Sequence, residues 1–551
     1  ALGCYDVIIH RHLRTGCGAR HAGLSGAASI AIGQTVGLGI LSGALVRWRL
    51  LPGIGLLQAI RVATGVAVTF LFGLALSLGV TGLLMPSDIL PTAACVTLLF
   101  AFFTICLAAF IHPEIHIFEQ SVRLPSLRAL IGIAALTLVD TLCAGLALWI
   151  LLPQAGELPV NLLIPAYMLA LGAALVSGAP GGIGAFELTL FAVLPQVPDT
   201  DLLCGLVAFR VVYYAVPAIM AVTLLLRPFT AATSATPHMR AVQEQDLTDA
   251  CRAEFGLARQ PGATVLVTTA TRLLVLPTGQ SLCALFGPFS GSPRAALSDL
   301  ARAARAVMQT PLVYKADARL AVIARRAGWR VLHVADDMVL DVSGFRTEGR
   351  AYSQLRRKLR HAAKAKIVTS HARTLPWGVL AEIDVVWQHR HGTARGLTMG
   401  RFCPVYLSHQ TVFVARQNGT ITAFASFHAT DRELCLDLVR TRPDTPDGTV
   451  HALVIEAVRF ARTTGRDRVS LAALPPKNGP VGWLAERTGT HGLRQFKDCF
   501  SPKRIPRYAL GPGWVGLMVA LVDLWRAMRR PNRNSAQEVH EEYEFARARE
   551  V

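Results

Sequence analysis

ELCLDLVRTRPDTPDGTVHALVIEAVRFA, residues 433–461, reads as a strand, a turn crowded with Pro and Asp, and a helix from about 449 to 464. The strand RVSLAAL follows at 468–474. Upstream, TVFVARQNGTITAFASFHA (411–429) has two alternating runs around Asn418-Gly419, the strongest short hairpin signal a sequence offers. A helix through Trp387 precedes it. The same order occurs once before: a meander at 263–288, an amphipathic helix at 293–309, PLVYKAD, a helix at 318–327 and RVLHVADDMVLDV. Strand meanders followed by helix and strand, given twice, predict two α+β units side by side, 248–375 and 376–510.

Outward from these units the chemistry changes sharply. Residues 1–226 hold nine Arg, no Lys and nine Asp or Glu, so the whole net charge of +19 belongs to the remainder. At 52% hydrophobic residues the chain is too apolar for a wholly soluble protein. Apolar runs long enough to cross a bilayer lie at 64–84, 90–111, 129–152, 160–178 and 203–226. Ser25 to Val46 and the GAPGGIGAFE run at 178–187 are too rich in small residues, Gly and Pro for plain lipid-facing helices, and read as broken or re-entrant segments or as close helix packing. Their places near the two ends hint at a weak internal repeat. Residues 1–230 are thus read as a membrane domain and 231–247 as a polar linker. Arg47, Arg49 and Arg61, and Arg123 and Arg128, mark two loops as cytoplasmic by the positive-inside rule, with everything after Arg227 on the same side. Asp140, Glu187 and Arg210 fall inside apolar spans, where an ionisable group faces protein or a polar cavity; they are candidates for a lipid headgroup path, with a structural Glu187–Arg210 pair as the plainer reading. The chain begins without Met, so upstream helices are expected to be missing. Eleven scattered Cys form no C-x-x-C pair, and neither they nor HRH at 389–391 has metal-site spacing.

A resemblance becomes specific at several places in order. SGALVRWRLLPG (42–53), VSGAPGGIGAFE (176–187) and AFRVVYYAVPAIMAVTLLL (208–226), then RGLTMGRFCPVYL (395–407), the run 436–461 and GLRQFKDCFSPKRIPRYAL (492–510), resemble the lysylphosphatidylglycerol synthases, the multiple peptide resistance factors. The resemblance implies a polytopic α-helical membrane domain followed by an α+β soluble domain of tandem acetyltransferase (GNAT-like) fold. It implies an aminoacyltransferase of the bacterial inner membrane, its soluble domain cytoplasmic. Such an enzyme esterifies phosphatidylglycerol with lysine or alanine from aminoacyl-tRNA, needs no cofactor, resists cationic antimicrobial peptides, and can form homo-oligomers. The alternative is a lipid flippase or transporter whose soluble domain is non-catalytic. A third, acyl-CoA-dependent N-acyltransfer, is disfavoured, because Asp444 and Asp447 would cap the 449–464 helix and repel a pyrophosphate where acyl-CoA enzymes offer a Gly-rich loop.

Four residues carry the expected chemistry. Asp437 suits an α- or ε-ammonium, and Arg440 a carbonyl or terminal phosphate. Three apart in a regular strand they point to opposite faces, and a bulge near Leu438 would realign them; without it they read as a surface salt-bridge network. Lys497 suits the tRNA end or the oxyanion, or else is a surface Lys, and His451 is a general base or a helix-surface His. Arg350, Arg356, Arg357, Lys358, Arg360, Lys364 and Lys366, on a helix at 346–366 linking the two units, offer a tRNA backbone contact, with a lipid patch or a solvated face as the alternatives. Cys403, Asp447 and His451 depart from the family pattern. At 511–531 an amphipathic helix reads as interfacial, and 532–551 as a disordered tail.

Overall fold

The computed structural model describes residues 2–36, 39–51, 53–117, 120–153, 158–177, 182–226, 238–248, 250, 252–479, 481–483 and 491–529. Parts of the 178–187 segment and of the 231–247 linker, and the 532–551 tail, lie outside the described residues. The chain forms two compact units, residues 1–236 with 303–309, and residues 237–302 with 310–551.

In the first unit five helices are long and apolar enough to cross a membrane: Leu56–Leu84, Thr92–Ile111, Leu127–Leu151, Val160–Ser177 and Asp199–Leu225. They coincide with the five apolar runs read from the sequence. Ser25 to Val46 falls within two shorter helices, Ala19–Val36 and Gly39–Leu50, packed on each other as a hairpin. Arg47 is not a loop charge. It is 3% exposed and grips Asp6 with two hydrogen bonds, Nε to Oδ1 at 2.6 Å and Nη2 to Oδ2 at 2.8 Å. Two unpaired charges could not stay dry; paired, they satisfy each other. A short hairpin, β1 (Glu114–Ile117) and β2 (Gln120–Arg123), joins two of the spans. The last span contains a π-helical turn, Arg210–Ala215, a rare irregularity that often marks a functional position. There Arg210 bonds Glu187, whose other oxygen accepts from the Gly184 backbone at 2.8 Å.

The second unit is built on one twelve-stranded sheet. Its strands are β3 (His238–Ala241), β4 (Thr264–Val267), β5 (Arg272–Pro277), β6 (Ser281–Leu285), β7 (Thr310–Ala316), β8 (Arg330–Asp341), β9 (Ile367–His371), β10 (Thr411–Gln417), β11 (Thr420–Ala429), β12 (Glu433–Thr441), β13 (Arg468–Leu474) and β14 (Lys503–Gly511). The order is β3-β4-β5-β6-β7-β14-β8-β13-β12-β11-β10-β9. Only β6–β7 and β12–β13 pair in parallel, each through a crossover helix, Pro293–Ala306 and Thr449–Thr463. The two expected α+β units are therefore two halves of one sheet, and they exchange their last strands. β8 lies beside β13 of the second half, and β14 lies beside β7 of the first.

Local chemistry explains the elements. Asn418 and Gly419 both take positive φ (50° and 86°), as a two-residue hairpin turn requires, and close β10 onto β11. Asp317 caps helix Ala318–Arg326 by accepting from Leu320 N at 2.7 Å. Three boundaries shift from the sequence reading. Residues 238–241 are an edge strand, not linker; the second half starts at Ile367, one strand before 376; and the linking helix runs only Ser353–Lys364, leaving Arg350 in a preceding 3-10 turn. The terminal helix, Trp514–Arg529, buries Leu517, Ala520 and Leu524 in the first half's core.

Candidate active site

The chemistry concentrates on β12. Its neighbour β11 pairs Ser426 with Leu438 and Phe427 with Leu436, so Asp437 is an extra residue, and the buried Ser426 hydroxyl accepts from Leu438 N at 3.3 Å. This is the bulge, the first of the two alternatives that the spacing of Asp437 and Arg440 leaves open. Leu436 and Val439 pack toward helix Thr449–Thr463, whereas Leu438 packs toward helix Trp377–His391. Asp437 and Arg440 emerge on that second face too, as their partners show.

Each has partners of its own. Asp437 accepts from Tyr406 Oη at 2.8 Å and Gln410 Nε2 at 2.9 Å, with His428 Nε2 at 3.5 Å. Burial alone would raise its pKa; His428 and these hydrogen bonds outweigh burial and hold it below the usual carboxylate range. Gly400 lies against it: a Cβ there would come within 2.2 Å of the carboxylate oxygens. The Arg440 guanidinium lies 3.9 Å over the Trp387 ring and donates to Asp384, which Gln388 also holds. Both are buried, so neither belongs to a surface network. The sequence reading missed Asp384, Tyr406, Gln410 and His428; Asp384 and Gln388 share one helix face with Trp387, the one signal that could have pointed to them. Cys403 occupies the N-cap of the short helix Pro404–Ser408 that carries Tyr406 and offers no side-chain cap. An Asp at this position could have served as a cap.

On the other face, where β12 runs into helix Thr449–Thr463, a cavity of about 420 Å³ opens, with Arg390, His391, Arg442, Asp447, His451 and Phe496 in its wall. The helix is not capped by carboxylates. Its N-cap is Gly448 in the left-handed region (φ 92°), where an added Cβ would stand 2.0 Å from the Lys358 carbonyl. Asp447 instead pairs with Lys358 at 2.7 Å, so the charge expected to repel phosphate is neutralised. His451 is 7% exposed, stacks on Phe500 and meets Phe496 edge-on, and its Nε2 has no partner among the described residues. Burial, aided by Lys358, pushes its pKa down to about 4, so it is neutral and able to accept a proton.

Lys497 is buried, not a surface Lys. Its Nζ donates to the Ala472 and Ala473 carbonyls at 3.1 and 3.5 Å, where β13 slips register, and burial lowers its pKa to about 8. Nearby the strand exchange buries Arg252, Glu254, Lys315, Asp337 and Arg507 in one network, with Lys315 on Glu254 at 2.5 Å and Arg507 on Asp337 at 3.1 Å. On the basic helix Arg357, Arg360 and Lys364 face solvent, as do Arg350 in the turn before it and Lys366 just beyond its end, while Arg356 holds the Thr347 and Gly349 carbonyls and Lys358 holds Asp447. In the membrane unit Asp140 makes no hydrogen bond or ion pair among the described residues, and Glu187 and Arg210 satisfy each other.

Comparison with known proteins adds a family. Residues 250–511 match the C-terminal domain of phosphatidylglycerol lysyltransferases. An uncharacterised Synechocystis protein is 30% identical over 228 residues, 39% of this chain and 70% of that protein. Among solved structures, the C-terminal domain of a putative lysylphosphatidylglycerol synthetase from Agrobacterium fabrum shares 24% identity, with a TM-score of 0.49, over 53% of this chain and 96% of its own. The L-PGS of Bacillus licheniformis shares 18%, with a TM-score of 0.47, over 52% and 95%.

Proposed function

The chain belongs to the lysylphosphatidylglycerol synthase family, and from that premise we propose that this multi-pass membrane protein transfers a lysyl or alanyl group from aminoacyl-tRNA to phosphatidylglycerol. The family match over residues 250–511 carries the reading. The reaction exchanges one ester for another. A glycerol hydroxyl of the lipid attacks the aminoacyl carbonyl carbon, the new ester C–O bond forms, and the bond between the acyl carbon and the ribose oxygen breaks. The hydroxyl proton ends on the ribose oxygen, so no ATP is required and positioning with oxyanion stabilisation can supply most of the rate.

The residues support a division of labour. His451, neutral and with Nε2 unpartnered among the described residues, takes the hydroxyl proton and returns it to the ribose oxygen. Arg390 and Arg442 in the cavity wall face the terminal phosphate, and Arg350, Arg357, Arg360 and Lys364 the tRNA backbone. Lys497, close to losing its proton at neutral pH, steadies the oxyanion or the tRNA end. Asp437 is ionised and held by a phenol, an amide and an imidazole, so no guanidinium competes for it. An ammonium reaches it when the 396–403 loop, whose Gly400 covers the carboxylate, moves aside. Arg440, locked on Asp384 and Trp387, holds β12 in register for Asp437.

The product places positive charge on the lipid surface and weakens binding of cationic peptides. We place the protein in a bacterial inner membrane with the sheet unit in the cytoplasm. Membranes from expressing cells, given tRNA charged with radiolabelled lysine or alanine, should yield a labelled lipid, and RNase should abolish the label. No RNase-sensitive label with any amino acid sinks the transferase reading and leaves the lipid transporter.

A further inference from the structure

Two helices hold equivalent places in the two halves of the sheet, each following an exchanged strand: Ser353–Lys364 after β8, and Trp514–Arg529 after β14. Each buries one face, through Leu355 and Ala362 in the first and Leu517, Ala520 and Leu524 in the second. Their outer faces differ in kind. The first presents Arg357, Arg360 and Lys364. The second presents Trp514, Val515, Met518, Val522 and Trp525, between 43 and 80% exposed, and ends in Arg529, whose guanidinium lies 4.1 Å over the Trp525 ring. Positions 514, 518, 522 and 525 line one side of a helix.

This helix is pinned. The Asp523 carboxylate, fully buried, accepts from the backbone N–H of Gln280 at 2.8 Å and of Ser281 at 3.0 Å, and from the Thr278 and Ser281 hydroxyls. A rigid helix therefore displays an apolar stripe, and a contiguous exposed stripe of this kind marks a docking face. Its chemistry selects the partner. Indoles near both ends suit the headgroup level of a bilayer, and the exposed Arg529 suits lipid phosphates. A chain of net charge +19 complements an anionic surface, and its own five candidate spans bring a bilayer with them.

We propose that the outer face of helix Trp514–Arg529 seats on an anionic lipid surface, so that the repeat gives one helix to a polyanionic donor in water and its counterpart to the lipid acceptor. The purpose rests on the transferase reading; the seating does not. The last turn also reaches the site: the Met528 carbonyl accepts from Gly396 N at 3.1 Å, and its sulfur meets the Thr398 hydroxyl. Both residues belong to the loop whose Gly400 covers Asp437.

The test places a photo-crosslinking residue on the stripe of the full chain, Val522→benzoylphenylalanine, reconstituted in vesicles of phosphatidylcholine with or without phosphatidylglycerol. The expected result is a lipid adduct at 522, at least several-fold more abundant with the anionic lipid. Adducts to a second copy, to residues 530–551, or to no partner overturn the proposal. A second variant, Met518→Glu with Val522→Glu, should lower transfer to vesicle lipid by at least ~10-fold and leave transfer to short-chain, micellar phosphatidylglycerol unchanged. Equal loss on both acceptors overturns the proposal in favour of a structural role. If the unmodified chain transfers nothing, the functional reading fails and the crosslink alone decides the seating.

Discussion

β6 and β12 hold the same place in the two halves of the sheet, each the strand before a crossover helix and a parallel partner. β6 is five residues, all buried, in unbroken register with β5, and carries no charged side chain. β12 is nine residues, breaks register at Asp437, and buries Glu433 and Arg440 along with the Asp437 side chain. The same topology thus supports a plain scaffold strand in one copy and a charged, irregular one in the other. Buried charge is tolerated only where partners are supplied, so the comparison separates residues that hold the sheet from residues placed for chemistry.

The largest break in that comparison is expected at Arg440. Arg440→Ala strips Asp384 of its cation inside the protein and should cost about 3–5 kcal/mol, read as a fall in the thermal unfolding midpoint; Arg440→Lys should recover only part, since an ammonium cannot lie flat on Trp387. Cys283→Ala in β6 should cost far less, about 1 kcal/mol. Comparable losses would show that β12 owes nothing special to its charges.

Next is His451, whose counterpart at the third position of the first crossover helix is Ala295. Its folded pKa of about 4 lies below the unfolded 6.5. As pH falls from 6.5 toward 4 the unfolded chain takes up the proton first, so stability is lost in that window, by at most roughly 3 kcal/mol. Above pH 6.5 there is no penalty. His451→Gln should flatten this acid loss in melts between pH 4 and 7, and should lower transfer where a general base is needed.

Asp437→Asn keeps shape and removes charge. Transfer should fall by at least ~10-fold, about 1.4 kcal/mol, with uncharged tRNA bound as before. Arg357, Arg360 and Lys364 to Ala should do the reverse, weakening tRNA binding and lowering the salt slope by about 1 for each phosphate no longer neutralised. Equal loss of tRNA affinity in both variants would make Asp437 a folding residue.

The smallest effect is expected at Lys358. Its pair with Asp447 is partly exposed, so Lys358→Met should change stability by no more than about 1 kcal/mol, measurable against Lys364→Met as a control.

The sequence told most where signals are local. Five apolar runs, the Asn418-Gly419 turn and the two strand-helix-strand orders are visible within short windows, and so is the spacing that puts Asp437 and Arg440 on opposite faces of a regular strand unless a bulge realigns them. Distant pairings were not visible. Asp6 and Arg47 look like two unrelated residues until their helices pack, and Asp384 finds Arg440 across 56 positions. The capping role assigned to Asp444 and Asp447 failed because the N-cap is Gly448, and Lys358, from a separate helix, holds Asp447. The strand exchange left no mark at all, since an exchanged strand has the same hydrophobic pattern as one that stays home.

That exchange has a consequence during synthesis. β7 and β8 flank a gap that only β14 fills, and β14 is residues 503–511 of 551. While the ribosome is still making the second half, the first half stands with its centre open and two unpaired strand edges. Each half completes its sheet with a strand of the other. A chain stopped anywhere before residue 503 would carry its spans into the bilayer with those edges bare, a target for chaperones and proteases before it could ever be an enzyme.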